Sequence, residues 1–344
     1  MRPIVRAVLR GSLGQIRYVR AVRPGEADGV VARVYGQAEA DFGVLAPPLA
    51  LHSPAPGPLA AGWLLLRETL LADGLVSRAD KELVATAVSQ ANTCPYCVEV
   101  HRAAMEVLPA PRAAAAGLAE WAAASGRPAQ GPAGALPFTA AETPEICGTA
   151  LTFHYLNRMV TVFLEDSPMP KQAPGVVRGP VMRTVARSMR PVAPGPLRAG
   201  ASLGLLPEAP LPPELAWAAG NPSVASAAGR AVAAVEEAAG WIPGEVRECV
   251  RGRLKDWDGA AAGPSRAWLA EAVDGVDAKD RPAAAVALLT AFAPYQLTGA
   301  DIAELRARSA GDRELIELTS WAALSAAVHL AGRFPVPDAV FGTR

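Results

Sequence analysis

The sequence predicts an all-α fold. Alanine-rich segments with apolar residues every three and four positions dominate it, valine and isoleucine rarely alternate with polar residues, and no Asn-Gly hairpin signal occurs. Residues 1–44 read as an N-terminal segment. Arg2, Arg6, Arg10, Arg17 and Arg20 lie there, but Gly11 and Gly14 interrupt them and no long apolar region or small-residue cleavage site follows, so no secretion signal is expected. A helix is predicted from Pro58 to Ala72, stopped by Gly74. The next begins at Arg78, where Ser77 can cap it and forms a capping-box-like pair with Asp80, and it ends near Asn92. Cys94-Pro95 opens a third helix, because a first turn tolerates the missing donor of proline. The Pro/Gly-rich stretch around Arg127 to Pro137 reads as a loop. After it, Glu142, His154 and Arg158 share one long helix.

An internal repeat is expected. Ala293-Pro294-Tyr295-Gln296 aligns with Cys94-Pro95-Tyr96-Cys97, and the helix Pro282 to Thr290 aligns with Leu83 to Ala91. Pro and Tyr persist while both cysteines are gone. Glu317, His329 and Arg333 repeat the spacing of Glu142, His154 and Arg158. The chain therefore divides into a first unit over 45–166, a Pro-rich linker over 167–213 and a degenerate second unit over 214–344. The linker should hold one short helix, and its Arg178, Arg183, Arg187, Arg190 and Arg198 lack interleaved aromatics, so they read as a solvated or interdomain face.

Bulk properties restrict the function. Lys plus Arg equals Asp plus Glu at 33 each, so nothing draws the chain to nucleic acid or an anionic membrane. The uncharged apolar run Pro282 to Leu297 contains two prolines and is too short to span a bilayer. Four cysteines, Cys94, Cys97, Cys147 and Cys249, are too few for a disulfide-stapled secreted domain, and a reducing cytoplasm fits better.

The chemistry concentrates between Glu82 and His101. Cys94 and Cys97 are three residues apart and His101 lies four beyond Cys97, so at about 100° per residue all three share one helical face. A helix N-terminus and an imidazole can lower a thiol pKa, and Glu82 can orient His101 or relay its proton from the neighbouring helix. Glu99 competes for that role, but two residues from both Cys97 and His101 it points off their face. With a peroxide, such a thiolate gives a sulfenic acid that the second thiol closes to a disulfide. Reopening it needs an external dithiol. A zinc site from Cys94, Cys97, His101 and Glu82 is the main alternative, although no second ligand pair accompanies it. A general disulfide reductase would place its dithiol after a strand, which the pattern lacks.

The string KELVATAVSQANTCPYCVEVH, from Lys81 to His101, resembles the signature of the alkylhydroperoxidase D (AhpD-like) family of the carboxymuconolactone decarboxylase superfamily. Its Glu-x11-Cys-x2-Cys-x3-His pattern is matched by Glu82, Cys94, Cys97 and His101, and TFHYLNR at Thr152 to Arg158 is also similar. The resemblance covers residues 45–165 well and 215–335 weakly. It implies a helical, cofactor-free and metal-free peroxidase, in which Cys97 attacks peroxide, Cys94 resolves, and Glu82 and His101 relay protons. It also implies an external dithiol reductant, a lipoyl-bearing or thioredoxin-like protein, and leaves homo-oligomerisation open. Relatives without cysteines imply a decarboxylating lyase as one alternative, and a non-catalytic relative whose dithiol senses redox state is another. Elsewhere, Cys147 and Cys249 read as buried small hydrophobes, His154 and His329 as structural hydrogen-bonding groups or pocket residues, His52 as a loop or cap residue, and the seven tryptophans as core.

Overall fold

The computed structural model describes residues 12–127, 136–169 and 175–337. Among them every regular element is helical and no strand occurs, as the apolar spacing requires. Arg2, Arg6 and Arg10, and most of the Arg127 to Pro137 loop, lie outside the described residues. No described helix is long and apolar enough to cross a membrane.

In the first half, α1 (Gly29–Gln37), α2 (Pro47–Ala50) and α3 (Pro56–Leu66) precede α4 (Arg78–Ala91), α5 (Pro95–Met105), α6 (Ala115–Ala124) and α7 (Thr143–Phe163). α3 runs on through a wider turn, Arg67–Leu71, so the helical stretch ends at Ala72 as expected. Ser77 caps α4 by accepting from the Asp80 amide at 3.1 Å. The Asp80 carboxylate accepts the Ser77 hydroxyl instead of the Ser77 amide, so the box is half formed. α8 (Gly175–Ser188) is the helix of the linker region. α9 (Pro222–Ala238), α10 (Gly244–Asp256), α11 (Ala267–Ala272), α12 (Arg281–Phe292), α13 (Gly299–Arg306) and α14 (Asp312–Ala331) complete the chain.

α7 is the central helix. All but one of its 21 residues are buried, because it is wrapped by α3, α4 and α14 and has no solvent face. Its polar residues survive there by local satisfaction: Thr149 and Thr152 return their hydroxyls to carbonyls one turn back, as do Thr69, Thr86 and Ser89 nearby. Helices of the two halves pack on one another, α3 against α9 and α7 against α14, and one continuous apolar core joins both. The Pro294-Tyr295-Gln296 stretch forms only a single turn, and buried Gln296 uses its amide on the carbonyls of Gly263 and Ser265.

The Pro-rich segment is fastened to the first half. Glu68, buried beside Arg67, accepts the Gly200 amide and the Ser202 amide and hydroxyl, while Asp73 and Leu197 exchange two bonds. Gly43 permits the same docking: at φ +84, a Cβ there would lie 2.1 Å from the Ser188 carbonyl oxygen at the end of α8. Arg187, Arg190 and Arg198 are exposed, which matches the solvated face expected of them.

Several isolated residues differ from expectation. His52 is a loop residue as expected, though fully buried, in the turn after α2 with its Nδ1 on the Leu49 carbonyl at 3.3 Å. Cys147 is buried, whereas Cys249 is only half-buried, its thiol on the Ala272 carbonyl. Trp241 is 40% exposed and departs from the core role that Trp63, Trp121, Trp217 and Trp321 fill. Arg333 lies two residues past the end of α14, and Glu142 at the cap of α7, so each set of three is not wholly on its helix.

Candidate active site

The turn between α4 and α5 sets the two sulfurs. Thr93 takes a left-handed conformation, φ 53, costly for a β-branched residue, and the Cys94 amide then reaches the Ser89 carbonyl at 2.9 Å. Cys94 thereby becomes the N-cap of α5, with Pro95 in the first turn. Its Sγ lies 3.0 Å from Sγ of Cys97, both thiols free, against about 2.05 Å in a disulfide.

One turn on, Nδ1 of His101 meets Oε2 of Glu82 at 2.6 Å across the α4–α5 contact. The other carboxylate oxygen is gripped by Arg78, 2.8 Å from Nε and 2.6 Å from Nη2. Burial alone would raise the Glu82 carboxyl, but the Arg78 guanidinium and the imidazole outweigh it and hold it at about 2. Glu82 is therefore a fixed anion, and His101 keeps Nε2 for other partners. Glu99 faces away and accepts the Ser167 hydroxyl. The structure thus brings together Glu82, Cys94, Cys97 and His101. It adds Arg78, whose i, i+4 spacing to Glu82 was a readable signal.

The thiols are electrostatically unequal. Hydrogen bonding from Cys97 lowers the Cys94 thiol against the effect of burial, helped by the Cys97 amide and the Thr161 hydroxyl. Burial pushes the Cys97 thiol up, and the Cys94 charge adds to that.

Cys97 and His101 open onto a cavity of about 370 Å³. Phe42, Leu66, Phe153 and Leu156 supply walls, and Met169, Val181, Met182, Val185 and Met189 roof it. The roof comes from the Pro-rich region, whose part in the site sequence reasoning missed. Among the described residues, no Arg or Lys lines the cavity.

His154 stands outside this cavity. Its Nε2 is 2.9 Å from Ser125 Oγ, whose own hydrogen goes to the Ala122 carbonyl, so Nε2–H donates and Nδ1 accepts from Asn92. Burial, with Arg158 nearby, lowers it to about 3, and burial lowers His52 to about 4. Both are neutral structural groups. His329 bonds the Trp257 carbonyl and stacks on that indole. Among the described residues, metal-ligand atoms converge only at Glu245, Asp277 and Asp280, so the four site residues lack the geometry of the zinc alternative.

These groups set the acid stability. His52 and His154 have folded values below their ordinary 6.5, and Glu82 below its ordinary 4.5, so each takes up a proton more readily when unfolded. Their contributions are complete above about pH 6.5 and fade as pH falls, first through the histidines and then through Glu82. The melting temperature should decline steadily from pH 7 to pH 3. A flat profile would contradict the burial of these groups.

Comparison with known proteins agrees with this geometry. The model of the carboxymuconolactone decarboxylase family matches residues 57–131, a span holding all four site residues. A protein named alkyl hydroperoxide reductase, from Mycobacterium tuberculosis, is 35% identical over 328 residues, covering 91% of this chain and 93% of that protein. The chain belongs to the carboxymuconolactone decarboxylase superfamily, among its AhpD-like members.

Proposed function

We propose that the protein is a thiol-dependent peroxidase acting on organic hydroperoxides. The observation that carries this reading is a close pair of reduced sulfurs whose outer member, Cys97, shares an apolar cavity with a carboxylate-held imidazole. The name of the relative from Mycobacterium tuberculosis supports it.

The steps balance. His101 takes the proton of Cys97, and the Cys97 thiolate attacks one peroxide oxygen. The O–O bond breaks, leaving Cys97 sulfenic acid and an alkoxide that takes the proton of the His101 imidazolium. Cys94 then attacks the sulfenic sulfur, and its proton leaves with the hydroxyl as water. Dithiol and hydroperoxide become disulfide, alcohol and water. An external dithiol restores the pair, and the chemistry belongs to a reducing compartment such as the cytoplasm.

A lyase acting on an anionic lactone is disfavoured because, among the described residues, the cavity offers no Arg or Lys to receive a carboxylate. A small dithiol should sustain consumption of an organic hydroperoxide by the protein, and no consumption would defeat the reading. Val185→Trp, which fills the cavity from its roof, should lower kcat/KM for a bulky hydroperoxide by about tenfold or more. Unchanged turnover would place the substrate elsewhere.

A further inference from the structure

We infer that the oxidised dithiol is reduced through a second opening, a polar cleft behind Cys94, and that this cleft takes a slender dithiol-bearing chain. The inference rests on the peroxidase reading and adds the route by which reducing equivalents arrive.

The cleft measures about 210 Å³ and lies between the halves. Three of its lining residues adjoin the dithiol: Thr93 precedes Cys94, and the Thr161 and Asn157 side chains lie beside Cys94 and Cys97 and lower their thiols. On α7, Leu156 and Val160 face the peroxide cavity, while Asn157 and Thr161 face the cleft. The sulfurs therefore stand in a wall between two openings of opposite character. The second half builds the far side with Trp257, Ala261 and Tyr295, the last 49% exposed at the degenerate Pro-Tyr turn. A second unit without a dithiol thus acquires a use.

Cys94 is only 1% exposed, so a folded domain cannot bring its own cysteine against that sulfur. A narrow aliphatic dithiol can, once Thr161 turns aside. Its thiolate attacks Sγ of Cys94, the Cys94–Cys97 bond breaks, and Cys97 leaves with a proton from His101. The second thiol of the chain loses its proton to water in the cleft, His101 regains one from water in its own cavity, and the new thiolate attacks the chain's sulfur in the mixed disulfide. That expels Cys94 as thiolate, and the lowered pKa of its thiol favours departure. Two electrons pass from the chain, which closes to its own disulfide.

The test separates the half-reactions. Ala261→Trp and Ala123→Trp block the cleft from exposed positions on opposite walls, neither in the peroxide cavity. The disulfide is made with diamide, and its reduction by dihydrolipoamide is followed. Both variants should slow reduction by about tenfold or more, while oxidation of the reduced protein by an organic hydroperoxide stays within about twofold of the unmodified protein. Reduction at the unmodified rate in both variants overturns the inference, as does equal slowing of both half-reactions. Because diamide makes the disulfide, the reduction rates report on the cleft even for a protein that peroxide does not oxidise, so failure of the peroxidase reading shows separately.

Discussion

Cys97→Ser is expected to lower peroxide turnover by roughly 10³-fold or more. Serine keeps the size and removes the only thiol that lines the cavity among the described residues, since Cys94 is not one of its lining residues. The remaining Cys94 thiol has no route to the substrate, and without a partner thiol it cannot close a disulfide. Cys94→Ser should behave differently. Cys97 remains in the cavity, so one equivalent of hydroperoxide should be consumed and the sulfenic acid should accumulate, open to trapping with dimedone. Full turnover by the Cys97 variant would remove the assignment of the attacking sulfur.

Glu145→Ala is expected to destabilise the fold by about 3–5 kcal/mol in denaturant unfolding. Nζ of Lys81 lies 2.7 Å from the Glu145 carboxylate, with both side chains almost wholly buried. The same carboxylate accepts the amides of Leu75 and Val76, tying the turn before α4 to α7. Gly74 is part of this design, because a Cβ there would meet the carboxylate oxygens at 2.4 Å. Burial pushes the Lys81 ammonium down and the Glu145 charge opposes it, so removing Glu145 leaves a buried cation with only the Ala72 carbonyl. The double variant Lys81→Met/Glu145→Leu should recover much of the loss, because two apolar groups leave no stranded charge. A single Glu145→Ala variant within about 1 kcal/mol of the parent would show that the pair is not desolvated.

The four central residues were legible because their placement is local. Helical spacing puts Cys94, Cys97 and His101 on one face, and Glu82 meets His101 because a short turn folds α4 back on α5. Ser77, Asn92 and Pro95 marked those helix ends correctly for the same reason. The roof was not legible. Val181, Met182, Val185 and Met189 carry helical apolar spacing, but prolines and arginines around them read as a solvated connector, and only tertiary docking through Glu68, Asp73 and Gly43 turns that face inward. Thr161 likewise carries no local sign of its contact with Cys94, which depends on how the end of α7 meets the α4–α5 turn.

The account rests most directly on the Cys94–Cys97 pair reacting as a unit. Intact mass analysis of the reduced protein, before and after one equivalent of an organic hydroperoxide, should show the loss of two hydrogens, localised by digestion to the peptide that holds both cysteines. Addition of oxygen at other residues, or no change at that peptide, would contradict it.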